Sequence, residues 1–260
     1  MSEETDKQEL LSSRKSKTAA LLLLYRKLRC ISCKAKKRYA WIAFLQKILF
    51  QKGVLMRLEG LKVYAFGDSI VYGHTLPEKS FTKMLADQYG WELYMGAVNG
   101  ATVIHSDNEI YHQTATAPAE APDVIIMNGY TNDAYAPVLE KLGTVGQTPA
   151  DTTTFCGCFE EILGLIRSRW GQVPVFYVTI HRSAARDWEV QTTLRGLAME
   201  MCQNAGVHVV DAFTETELDT RNEDMMANYI IDGAGSHPNE AACKQFYMPI
   251  IEKAIQEYEG

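Results

Sequence analysis

The sequence predicts an α/β fold, a three-layer α/β/α sandwich on a parallel sheet of about five strands over residues 58–260, preceded by a basic, amphipathic helical extension over residues 1–57. Two observations predict the globule. Short apolar runs rich in Val, Ile, Phe and Tyr alternate with longer stretches of helical period, which implies right-handed crossovers, parallel strands and helices on both faces. Polar residues and glycines follow the ends of several runs, where open α/β sheets place their ligands. A third observation separates the extension: residues 1–57 hold 14 Lys+Arg against four Asp+Glu, and the remainder 12 against 28. The net charge of -6 therefore describes an acidic globule with a basic arm.

In the arm, apolar patches alternate with basic clusters. Leu21, Leu24, Leu28 and Ile31 recur at helical spacing, as do Trp41, Phe44, Leu45 and Ile48, so both patches suit one-sided helices. Neither approaches the roughly 20 apolar residues that span a bilayer. Glu3, Glu4 and Asp6 stand where a secretory signal is basic, and the Leu21 patch runs into Tyr25-Arg26-Lys27 rather than a small-residue cleavage site, so no signal is predicted. Three roles stay open for the arm: packing on its own globule or a sister subunit, peripheral contact with an anionic membrane, and nucleic-acid binding, the last unsupported by any recognisable module.

The globule is read in order as strands over 62–66, 92–97, 123–128, 173–180 and 207–211. Helices are expected over 80–89, 154–170, 188–204 and 239–258, the last kinked at Pro249. A composition of 47% hydrophobic and 22% charged residues supplies a sizeable core for one such domain. Six cysteines show no spacing typical of a disulfide-stapled secreted domain, which points to a reducing, cytoplasmic setting. Cys30 and Cys33 form a C-x-x-C pair, but Cys156 and Cys158 fall in a distant helical stretch, so a four-ligand zinc site is not predicted.

The run from Val63 to Phe66 stops at Gly67-Asp68-Ser69 and turns, making Ser69 a candidate nucleophile and a simple helix cap the alternative. Near the far end, Asp232-Gly233-Ala234-Gly235-Ser236-His237-Pro238-Asn239 offers an acid and an imidazole. A serine hydroxyl needs a base, and the base needs a partner that fixes its tautomer. With these residues in view the chain resembles the GDSL/SGNH hydrolase family. Gly67-Asp68-Ser69 is similar to its first block, Asn99-Gly100-Ala101-Thr102 to its glycine block, Gly129-Tyr130-Thr131-Asn132-Asp133 to its G-x-N-D block, and Asp232 to Asn239 to its closing D-G-x-H-P-N. The resemblance spans roughly residues 61 to 258 and implies the flavodoxin-like arrangement of the sandwich.

It further implies a serine esterase with Ser69 as nucleophile, His237 as base and Asp232 as orienting acid. The oxyanion hole falls to the backbone N–H groups of Ser69 and Gly100 and the side-chain amide of Asn132. Ser69, Gly100 and Asn132 each follow a strand end and are expected to converge on one cleft. Asp68 and Asp133 are expected to bond nearby loop backbone. His181 and His74 are rival bases by placement. Four residues separate Asp232 from His237 where the family pattern has two, so Asp224 or a backbone carbonyl stays open as the orienting group. The same spacing keeps open a carbohydrate-binding or interaction protein without turnover. No G-x-S-x-G elbow, phosphate loop or H-E-x-x-H pair is present, and no cofactor or metal is called for. The expected partner is a small-molecule ester, such as an acetylated sugar. A lysophospholipid or thioester drawn from a membrane by the arm is the alternative, and no nucleic-acid partner is expected.

Overall fold

A computed structural model describes residues 56–258 of the 260. The chain divides into two compact units, residues 1–57 with 256–260, and Leu58–Ile255. The helices expected in the arm, and Cys30 with Cys33, lie outside the described residues.

Five strands form one parallel sheet: β1 (Lys62–Phe66), β2 (Glu92–Met95), β3 (Val124–Met127), β4 (Val175–Val178) and β5 (His208–Val210), in the order β2-β1-β3-β4-β5. The sequence of β3 is VIIM and that of β4 VFYV, and every residue of both is buried. Such runs suit the middle of a sheet covered on both faces, whereas the edge strands β2 and β5 are partly exposed. β1 has neighbours on both sides, and the strand order reverses there, so the carboxyl ends of β1 and β3 are where open α/β sheets place their ligands.

The longer helices are α2 (Phe81–Tyr89), α4 (Phe155–Trp170) and α5 (Trp188–Asn204). Each begins at a side-chain cap: Ser80, Thr154 and Asp187 accept from the N–H groups of Lys83, Gly157 and Val190. Shorter helices are α1 (Ser69–Tyr72), α3 (Ile110–Thr116), α6 (Ala212–Glu215) and α7 (Glu223–Tyr229). Beneath the sheet, Phe66 stacks on Trp170 with ring centroids 5.9 Å apart, and Phe159 meets Tyr177 edge-on at 5.3 Å.

The closing helix is broken, but upstream of the expected point. α8 (Glu240–Ala242) and α9 (Met248–Gln256) flank a π-helical turn at Cys243–Tyr247. Pro249 has no N–H for a carbonyl one turn earlier, and the widened turn just before it absorbs the irregularity. The four described cysteines are free and buried, and burial pushes their thiols up, Cys156 to about 11 and Cys243 to about 12. Among the described residues no helix is long and apolar enough to cross a membrane.

Candidate active site

The nucleophile turn is held from behind by buried carboxamides. Gly67 leaves β1 with φ +136°, and a Cβ there would lie 2.0 Å from Asn128 Oδ1. Glycine is therefore required both by conformation and by space. Its N–H donates to Gln113 Oε1 (2.8 Å), and Gln113 Nε2 donates back to its carbonyl (2.9 Å), so a side chain of α3 mimics a neighbouring strand. Asn128, just past β3, accepts from the Asp68 N–H and donates to Asp68 Oδ1, both at 3.0 Å. Asp68 Oδ1 also caps α1 by accepting from the Ile70 N–H at 2.8 Å. Burial pushes the Asp68 carboxyl up, against the opposing pull of Ile70 and Asn128. The result places Ser69 at the first position of a one-turn helix, with its side chain in reach of the loop between α7 and α8.

There Ser69 Oγ lies 2.9 Å from His237 Nε2, across 168 residues of chain. His237 Nδ1 bonds Asp232 Oδ2. The four intervening residues fold back into a turn in which Asp232 Oδ1 accepts from the N–H groups of Gly235 (2.8 Å) and Ser236 (3.1 Å). Burial opposes the charge on Asp232, but the bonds from His237, Gly235 and Ser236 outweigh it and hold the carboxyl below its usual value. Asp224 sits exposed on α7. The Gly235 carbonyl anchors the turn by accepting from His181 Nε2 (3.1 Å), Ser183 Oγ (3.0 Å) and Thr220 Oγ1 (3.0 Å).

The glycine and asparagine loops close the site. Asn132 Nδ2 donates to the Ala101 carbonyl at 2.9 Å, which spends one of its two N–H bonds and leaves the other. Asp133 accepts from the N–H groups of Val103 (2.9 Å) and Ile104 (3.0 Å), tying the two loops together. Burial pushes its carboxyl up to about 6. The only non-glycine residues with positive φ among those described are His74 (+53°) and Tyr130 (+77°), one in the nucleophile loop and one in the asparagine loop. Backbone held in this region is a cost tolerated where placement matters.

A hydroxyl, an imidazole and a carboxylate in line, beside loops carrying Gly100 and Asn132, suit acyl transfer through serine. Residues 65–244 match the GDSL-like Lipase/Acylhydrolase family. The chain belongs to that family. This GDSL-like chain is a hydrolase of ester bonds. No curated protein matches it by sequence. Solved structures similar to it include a protein from Lactobacillus plantarum (19% identity, TM-score 0.64, 76% of this chain and 96% of that one). A carbohydrate esterase family 2 enzyme with its carbohydrate-binding domain, from Corynascus thermopiles (Myceliophthora fergusii), shares 18% identity over 75% of this chain and 65% of that one, with TM-score 0.54. Phospholipase A1 from Streptomyces albidoflavus shares 15% identity over 75% and 99%, with TM-score 0.53. At these identities the likeness is one of fold.

Of the three histidines weighed in this GDSL-like chain, His237 is the one hydrogen-bonded to Ser69 Oγ. His181 is fully buried, with Nδ1 2.8 Å from Tyr247 Oη and Nε2 on the Gly235 carbonyl, and burial lowers it to about 4. Its place is behind the turn that carries His237. His74 lies flat against His237, ring centroids 3.7 Å apart and planes 11° from parallel. Motif reading missed Gln113 and Asn128. Asn128 does carry a signal, as the polar residue that ends the buried run Val124–Met127, whereas Gln113 is distinguished only by its place in space.

Proposed function

We propose that the chain is a serine esterase acting on small O-acyl esters, such as an acetyl group on a carbohydrate. The observation that carries this reading is the 2.9 Å approach of Ser69 Oγ to His237 Nε2, with Asp232 on the opposite ring nitrogen. Asp232 holds the proton on Nδ1, so the Nε2 lone pair faces the serine hydroxyl. His237 takes the Ser69 proton as Oγ attacks the acyl carbon, and the carbonyl oxygen becomes an anion. The N–H groups of Ser69 and Gly100 and the remaining N–H of Asn132 receive that charge. His237 then passes its proton to the departing alcohol, leaving an acyl-serine. Water attacks the acyl carbon, its proton goes to Nε2 and on to Ser69 Oγ, and the carboxylic acid departs.

Ser69→Ala is expected to abolish hydrolysis of an activated acetate ester while leaving the thermal midpoint unchanged; equal rates in variant and parent would remove the reading. A longer-chain substrate such as a lysophospholipid is the second reading. It is favoured by Leu76 and Val98, exposed apolar residues in the loops after Ser69 and before Gly100. A series of acyl chain lengths separates the two, since rates that climb toward long chains and drop when residues 1–57 are deleted would favour the lipid.

A further inference from the structure

His74 is joined to the site by backbone as well as by its ring. Its N–H donates to the Ser69 carbonyl at 3.0 Å, alongside the Gly73 N–H at 2.9 Å, so the residue is referenced directly to the nucleophile. Asn99 Nδ2 donates to the His74 carbonyl at 3.2 Å, linking it to the loop that carries Gly100. Its φ of +53° lies in the left-handed region, uncommon outside glycine though histidine enters it more readily than most residues. Two loops of the site thus hold the His74 backbone, and its ring lies nearly parallel to that of His237.

The two in-plane bonds of His237, to Ser69 and to Asp232, leave the tilt of the ring about the line joining them free. A flat ring 3.7 Å away removes that freedom. It also meets the cation that forms when His237 takes a proton, and a neutral π face attracts such a cation where a second imidazolium would repel it. The ionisable groups facing His74 are His237 and Asp232; burial and then His237 lower its pKa, against Asp232. Resting on the serine esterase reading, we propose that His74 is a positioning residue: stacked on His237, it fixes the tilt of the base and offers a neutral face to the imidazolium formed as Ser69 gives up its proton.

The test uses His74→Asn, which tolerates positive φ but has no ring, and His74→Phe, which keeps a flat ring that does not titrate. Three quantities are read in the full chain: kcat and KM on an activated acetate ester, the rate at which a fluorophosphonate labels Ser69, and the thermal midpoint. In the Asn variant, kcat and the labelling rate are expected to fall by about fivefold or more, the rate equivalent of a ring–ring contact, with KM unchanged. Phe restores most of both. Should Phe unfold at this backbone angle, free imidazole added to the Asn variant takes its place, with recovery read by Ser69 labelling so that its own attack on the ester does not count. An Asn variant with the parent's kcat and labelling rate overturns the proposal, as does a loss that neither ring restores. A parent that is neither labelled nor active removes the serine reading and this one together, whereas a labelled parent matched by its Asn variant removes only this one.

Discussion

The two halves of the site are held by different means. On the nucleophile side, Ser69 follows a central strand, and Gly67, Asp68, Asn128 and Gln113 interlock behind it in a buried network that leaves no room for a Cβ at position 67. On the base side, His237 rides on a turn outside the sheet, fixed by the Gly235 carbonyl, by the N–H groups donated to Asp232, and by an antiparallel bridge in which the Ile231 N–H donates to the His237 carbonyl at 2.9 Å. The first half is part of the core and the second is docked onto it. Damage to the buried network behind Ser69 should therefore appear first in stability, and loss of the carboxylate that bonds His237 first in rate.

Apart from loss of the Ser69 hydroxyl itself, the largest expected effect lies on the base side. Asp232→Asn should lower kcat by roughly 10²- to 10⁴-fold, because an amide no longer fixes the useful tautomer of His237, while the thermal midpoint stays near the parent's. A comparable fall in both quantities would erase the contrast between the halves. Gly67→Ala should do the reverse, costing about 3 kcal/mol or more in urea unfolding, since the new methyl meets Asn128 Oδ1 and the positive φ disfavours any side chain.

An intermediate effect comes from pH. The pKa of His181 is lowered from 6.5 to about 4 by burial, so the unfolded chain binds this proton more readily than the native one. Its contribution is complete above about pH 6.5 and is lost as pH falls toward about 4, amounting to about 3 kcal/mol over that window. Denaturation curves at the two ends of the window check the sign, and stability that rises on acidification would contradict it. The smallest effect sharpens the picture of the anchor. Ser183→Ala removes one of three donors to the Gly235 carbonyl and should cost about 1 kcal/mol in stability, with kcat changed by no more than about threefold.

The same contrast decides what the sequence makes legible. Strands and long helices follow from period and composition, and β1 and α5 coincide with the expected 62–66 and 188–204. The ends of other strands are trimmed by local geometry. The run expected over 92–97 stops at Met95 because the N–H groups of Gly96 and Ala97 both turn to the Ala65 carbonyl. Helix α3, with the sequence IYHQTAT, is short and mixed in polarity, so periodicity does not reveal it. Asp232 bonds His237 Nδ1 despite the longer spacing, because the two added residues are absorbed in a turn that returns the carboxylate to that nitrogen. Asp133 bonds loop backbone as expected, whereas Asp68 caps α1 and meets the Asn128 side chain, and the carboxamides behind Gly67 depend on contacts more than 40 residues apart along the chain, which no local pattern announces.

Gly233 and Ala234 are exposed at the tip of the turn between acid and base, and a Cβ at position 233 would meet nothing within 4 Å. With the anchoring done by Gly235 and Ser236, that tip is slack in the connection, a point where the distance between two motif letters can drift while their atoms stay put. It also offers a seat for a fluorescent reporter, close enough to sense whether Ser69 and His237 are engaged.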